Sequence, residues 1–172
     1  TGAMPKIKLP DGSIRSYAAP VNAATIANDI GPGLAKAALM AVVNGEEWDL
    51  SRPIEVDATV ALVTSKDEEA LALVRHDCAH VMAEAVLELY PETQVTIGPS
   101  IENGFYYDFY RETAFSTDDL TSIEQRMHDI VDRDESIQRS IWTRDEAVEF
   151  YKKKKEPFKI ELVEAIPVDQ AV

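Results

Sequence analysis

Near the start of the chain, Ile7 and Leu9 alternate with polar neighbours. Pro10-Asp11-Gly12 then supplies a turn and Ile14 to Tyr17 resumes the extended pattern, which predicts a β-hairpin. Asn22 is placed to cap a short helix running to Ile30, which Gly31-Pro32-Gly33 should end. Leu34 to Leu39 offers a further Ala-rich turn or two of helix. Val42 to Trp48, folded around Asn44-Gly45, predicts a second tight hairpin, and Thr59 to Val63 a buried strand. A small β-grasp-like sheet with one or two helices accounts for the segment, whose length of about 60 residues suffices to fold alone.

Ser65-Lys66-Asp67 marks a boundary, and the period then changes. From Asp67 to Tyr90, Leu71, Val74, Cys78, Val81, Ala85 and Leu89 recur at spacings of three and four, predicting one long helix that Pro91 stops. Thr93 to Ile97 and Phe105 to Phe109 read as strands around turns at Gly98-Pro99 and Asn103-Gly104. Ser116 to Asp119 reads as a capping box. It opens an amphipathic helix with Leu120, Ile123, Met127, Ile130 and Val131 on one face. Ser136 to Trp142 reads as a strand, and Thr143 with Glu146 caps another helix. Pro157 interrupts, and Phe158 to Val163 fits strand or helix equally. This second half has few strands for its helices and reads as truncated. Thr1-Gly2-Ala3 ahead of Met4 reads as a tag remnant.

Composition narrows the setting. No apolar run approaches the roughly 20 residues that span a bilayer. The single cysteine, Cys78, leaves no intramolecular disulfide and fits a reducing cytosol. Of the net charge of -14, nearly all falls in the second half, where 24 acidic groups face 12 basic ones. That half repels a polyanion except where cations cluster, as at Lys152-Lys153-Lys154-Lys155, and a solvated helix end is the plainer reading of that run.

Two of the three histidines, His76 and His80, lie four residues apart in the long helix, so both imidazoles leave one face. Three readings compete. The pair is an ordinary polar stretch of helix; or it is a metalloprotease-like site, with Asp77 shortened from the usual Glu and His128 as the one spare histidine. The third is half of a split His-x-x-x-His and Cys-x-x-x-His site, in which the histidines are candidate zinc ligands or hold a water without metal. Cys78 points to a different helix face and is better read as a small buried hydrophobe.

Several stretches are similar to the N-terminal part of bacterial threonyl-tRNA synthetases. They include Leu9-Pro10-Asp11-Gly12-Ser13, Asp29 to Ala37, Val43-Asn44-Gly45-Glu46 and Lys66-Asp67-Glu68-Glu69. Arg75-His76-Asp77-Cys78-Ala79-His80, Ile97-Gly98-Pro99 and Asn103 to Asp108 are the more specific ones. The resemblance implies an α+β chain: residues 1–4 tag remnant and start Met, 5–64 a β-grasp TGS domain, and 65–172 the first part of an editing domain. That editing domain is expected as an incomplete α/β-mixed unit with a long central helix on an antiparallel sheet. It shares its fold with alanyl-tRNA synthetases and hydrolyses serine misattached to tRNA(Thr).

On this resemblance His76, His80 and Lys159 are the expected catalytic residues of editing, and Tyr107 and Asp108 the expected substrate contacts. Asp77 departs from the family, which usually has Ser there. The parent is expected to be a cytoplasmic threonine–tRNA ligase with tRNA(Thr) as partner, homodimeric through a core this chain lacks. ATP, Mg and zinc belong to that core, and no cofactor is expected in this chain. Without the core and the Cys-x-x-x-His half, the chain is expected neither to aminoacylate nor to edit at full rate. The alternatives are a regulatory TGS-type binding module, which would tolerate loss of both histidines, and a free-standing metal hydrolase related to alanyl-tRNA editing proteins, which would carry stoichiometric zinc.

Overall fold

The first hairpin forms where the alternation places it. In the computed structural model, which describes residues 4–172, β1 (Lys6–Lys8) and β2 (Ile14–Ser16) pair antiparallel with Ile7 opposite Arg15. The tag remnant expected at residues 1–4 falls mostly outside the described residues. β3 (Val21–Asn22) leads into helix α1 (Ala23–Ile30), capped by Asn22, whose side-chain oxygen accepts from the Thr25 N–H at 2.8 Å. Gly31 ends α1 as expected. Pro32, however, opens a second helix, α2 (Pro32–Ala37), because its fixed φ and missing N–H suit a first helical turn. The helical run expected to reach Leu39 therefore stops at Ala37. Ala38 and Met40, buried alternately, belong to β4 (Ala38–Val43).

β4 turns into β5 (Glu46–Trp48) through Asn44 and Gly45, both left-handed at φ 50° and 86°. Two successive positive φ values match the twist of a two-residue hairpin, which is why Asn-Gly occupies it. β6 (Pro53–Ile54) pairs with β3, and β7 (Ala58–Thr64) runs parallel to β1 and antiparallel to β4. The result is a mixed five-stranded sheet in the order β2-β1-β7-β4-β5. Its core joins Ile7, Ile26, Ala41, Val43, Ile54 and Val60.

The chain divides into two compact units, Thr1–Val74 and Arg75–Val172, and the division falls inside helix α3 (Glu68–Leu89). The apolar face expected of α3 is only partly right. Leu71 and Val74 are each 52% exposed, and the buried line runs through Ala79, Ala83, Ala85 and Val86. Small residues permit the closest packing, so these alanines face inward while Leu71 and Val74 stay exposed and Leu73 is half-buried against Met40, Val63 and Ala70.

In the second unit the two expected strands are replaced by four short ones, β8 (Gln94–Val95), β9 (Ser100–Ile101, outside both expected ranges), β10 (Gly104–Phe105) and β11 (Phe109–Tyr110). β9 and β10 pair closely around Glu102-Asn103, and β8 pairs with β11. Between the two ladders the register slips by one residue, since Val95 faces Phe109 while Ser100 faces Phe105. Gly98-Pro99 is therefore an irregularity inside one long hairpin, where proline offers no donor to a ladder, and not a turn. The antiparallel sheet expected with α3 is present, among the described residues, only as these two ladders.

Helix α4 (Thr117–Arg133) opens on a true capping box. The Ser116 N–H donates to Asp119 Oδ2 at 2.7 Å, and the Asp119 N–H donates to Ser116 Oγ at 3.3 Å. Ile123, Met127 and Ile130 pack with Ala85, Val86 and Phe109, whereas Leu120 and Val131, expected on the same face, are exposed. Arg126 and Arg133 both donate to the Glu88 carboxylate, clamping α4 to α3 and holding that carboxyl down to about 2. Ser116→Ala removes the acceptor of the box and should cost about 1 kcal/mol. For a unit of this size that is a fall in Tm of about 4–8 °C, read by calorimetry.

Residues 136–141 form no strand; they lie between α4 and helix α5 (Arg144–Lys154), which Thr143 and Glu146 cap reciprocally. The segment left open between strand and helix folds as helix α6 (Pro157–Glu164), with Pro157 in its first turn. Ala147, Val148 and Val163 join α5 to α6.

Candidate active-site groove

Helix α3 presents His76 and His80 one turn apart. Their Nε2 atoms approach to 2.9 Å, with ring centroids 4.5 Å apart and planes at 79°. One ring therefore donates from Nε2 while the other accepts there and carries its proton on Nδ1. Arg75, on the adjacent position, donates to the carbonyls of Ile101 (3.3 Å) and Glu102 (2.5 Å). It ties the tip of the long hairpin to α3, and so brings the irregular Ile97-Gly98-Pro99 segment to the histidines.

The opposite strand contributes Tyr107. Its ring stacks on Phe109 at 5.0 Å and 16° and lies flat against Gly98, where a Cβ would sit 2.0 Å from Tyr107 Cδ2. Burial pushes the Tyr107 phenol above its usual range, with Glu156 and Tyr151 adding to the shift, so it stays a neutral donor. Helix α6 supplies Lys159. Together His76, His80, Ile97, Pro99, Tyr107 and Lys159 enclose a groove of about 260 Å³.

The electrostatics favour a base. Partial burial lowers the pKa of His80, and the positive fields of His76 and Lys159 lower it further against a smaller opposing effect of Asp77. His80 is therefore neutral at pH 7, and as the Nε2 donor of the pair it would keep a lone pair on Nδ1.

Of the residues expected from sequence, the structure gathers His76, His80, Tyr107 and Lys159 in one groove. Asp108 is not among the groove's lining residues. Its side chain is exposed and its backbone serves the hairpin, accepting from Thr96 and donating to Ile97. Ile97, Gly98 and Pro99, a motif of the resemblance with no expected role, form a wall of the groove; glycine followed by proline inside a strand pattern is the sequence signal for it. Cys78 is partly buried, and His128 sits exposed on α4. Zinc takes four nitrogen or sulfur ligands in a structural site. The histidine pair supplies two, and among the described residues no group of three or more His, Cys, Asp or Glu side chains is placed to hold a metal ion.

The lysine run closes α5 at its negative end. Lys152 pairs with Glu149 at 3.2 Å and Lys154 lies over the Phe150 ring at 4.7 Å, so two of its four cations have local partners. No helix among the described residues is long and apolar enough to cross a membrane.

The family model of the TGS domain matches residues 5–64. Threonine–tRNA ligases of Rhodospirillum rubrum, Paramagnetospirillum magneticum and Thiobacillus denitrificans are 57%, 56% and 53% identical to this chain over 98%, 98% and 95% of its length. The chain spans about a quarter of the length of these relatives, 26%, 27% and 26% respectively. The chain is similar along nearly all of its length to the N-terminal region of threonine–tRNA ligases, and its residues 5–64 match a TGS domain.

Proposed function

We propose that the whole protein is a cytoplasmic threonine–tRNA ligase, and that the groove of this chain edits its product by hydrolysing Ser-tRNA(Thr). In this reading the first unit is a β-grasp TGS module and residues 65–172 are the first part of an editing domain. ATP, magnesium and zinc serve the aminoacylation core, which lies outside this chain along with the dimer contacts. The observation that carries the reading is the neutral His80, hydrogen-bonded to His76 in a groove shared with Lys159 and Tyr107. The need for editing is thermodynamic. A missing methyl is worth about 1–3 kcal/mol, so a threonine pocket rejects serine by only about 10–200-fold.

The groove suits water as the nucleophile. His80, as the ring that donates from Nε2 to His76, takes a proton at Nδ1 from a water as the water oxygen bonds to the ester carbonyl carbon, and the Lys159 ammonium faces the oxyanion that develops. Collapse breaks the ester C–O bond, and the ribose oxygen leaves with the proton that His80 returns. His76 fixes the ring and tautomer of His80.

Lys159→Met in the whole ligase tests this. Ser-tRNA(Thr) hydrolysis should fall about 10²-fold or more, as for loss of an oxyanion donor. The acid limb of the rate profile should also move to higher pH, because the cation that helps depress His80 has gone. An unchanged rate and an unchanged limb would remove Lys159 from the chemistry and the editing reading with it.

A further inference from the structure

Between α4 and α5 lies a stretch with the pattern of a strand and no strand to pair with. Residues 136–141 are all exposed, Ile137 by 86% and Ile141 by 61%. In an extended chain Ile137, Arg139 and Ile141 share one side, and Gln138, Ser140 and Trp142 the other. Among the described residues, 136–141 make no backbone hydrogen bond. The next residue does. The Trp142 N–H donates to the Val172 carbonyl at 3.0 Å and the Val172 N–H donates to the Trp142 carbonyl at 2.9 Å.

This reciprocal exchange is the hydrogen-bonded pair of an antiparallel ladder, and it fixes both direction and register. Chain continuing past Val172 in the same direction runs back along the stretch from Ile141 towards Ser136. Its first residue faces Ile141, its second can exchange both bonds with Ser140, its fourth does so with Gln138, and its fifth faces Ile137. Beside this edge lies a cleft of about 580 Å³ lined by Ile141, Trp142, Phe150, Glu149 and Lys153 among others, open to side chains from an added strand.

We propose that in the whole ligase the segment following Val172 adds to residues 136–142 as an antiparallel strand, completing a ladder of which Trp142 and Val172 form the first rung. The proposal rests on the reading that this chain is one part of a longer ligase, as relatives of about four times its length indicate. A tethered segment that already starts in register has an effective concentration of order millimolar, which a second copy of the chain does not match at ordinary protein concentrations.

The test is made on the whole ligase. With Ile141→Cys and a cysteine placed at the first residue after Val172, mild oxidation should give an intrachain disulfide. Cα atoms of such a facing, non-hydrogen-bonded pair lie about 4.5 Å apart, within bridging range. Ser140→Cys with the same partner points to the opposite side and should react far more slowly. Amide exchange at Gln138 and Ser140 should be at least about tenfold slower in the whole ligase than in this chain alone. Fast exchange in both proteins, no difference between the two cysteine pairs, or a disulfide only between two copies would overturn the pairing. Hydrolysis of Ser-tRNA(Thr) by the unmodified ligase and its Lys159→Met variant separates the two ideas. Editing that depends on Lys159 with no cross-link sinks the pairing alone, and a cross-link without such editing sinks the editing reading alone.

Discussion

Alanine in place of His80 should lower hydrolysis of Ser-tRNA(Thr) by the whole ligase about 10²–10⁴-fold, the range lost with a positioned general base. Attachment of threonine, which the proposed reading assigns to a core outside this chain, should be unaffected. Two features of the groove support His80 as the base in this reading. It is the member of the pair with a lowered pKa, and its Nε2 lies 2.9 Å from that of His76. The sign of the pH dependence follows. The neutral ring is the active form in this reading, and because its pKa is lowered, the rate should fall off at lower pH than a free imidazole would give. His76→Ala acts differently. It removes both the hydrogen bond and one of the positive influences that depress His80, so the remaining rate should fall off at higher pH than in the parent. A stopped-time assay of deacylation from pH 5 to 8 on the parent and the two variants reads all of this. Equal profiles for all three would show that the pair takes no part in the reaction and serves the helix alone.

How much of this was legible in the sequence differs between the two units. In the first, local signals decide the outcome. Asn22 caps α1, Asn44-Gly45 sets a hairpin through two positive φ values, and the apolar run Val60 to Val63 marks β7. Each rests on residues a few positions apart, and the structure follows nearly all of them. In the second unit the caps at Ser116 and Thr143 are again local and correct. What failed there depends on partners distant in sequence. Residues 136–141 have the composition of a strand but no neighbour, and Leu71 and Val74 continue an apolar period that packing does not use. The groove was half visible. The spacing of His76 and His80 placed two rings on one helix face from sequence alone, and resemblance supplied Tyr107 and Lys159. The one-residue slip between the hairpin ladders, which presents Gly98 and Pro99 to the histidines and leaves Asp108 outside, depends on pairing that no local pattern encodes.

Gly98→Ala should be the most damaging single-methyl change in the second unit. The position has ordinary backbone geometry, so the objection to a side chain is steric. A Cβ there would lie 2.0 Å from Tyr107 Cδ2, 2.5 Å from Cε2 and 2.7 Å from Cγ, well inside contact distance. Those atoms include the root of the ring, so a swing of its tip gives no relief and the whole ring must move. Phe109, stacked on the ring at 5.0 Å, restricts where it can move. Overpacking of this kind costs about 1–3 kcal/mol, which for a unit of this size lowers Tm by at least about 4 °C. Displacing Tyr107 also deforms the wall opposite His76 and His80, so deacylation should fall together with stability. A second substitution separates the two effects. Tyr107→Ala added to Gly98→Ala relieves the clash and should restore much of the lost Tm, a favourable coupling that a double-mutant cycle measures directly. It should not restore deacylation, because the wall itself is then missing. A Gly98→Ala protein as stable and as active as its parent would mean that Tyr107 has another place to go, and that the close approach of glycine to its ring does not shape the groove.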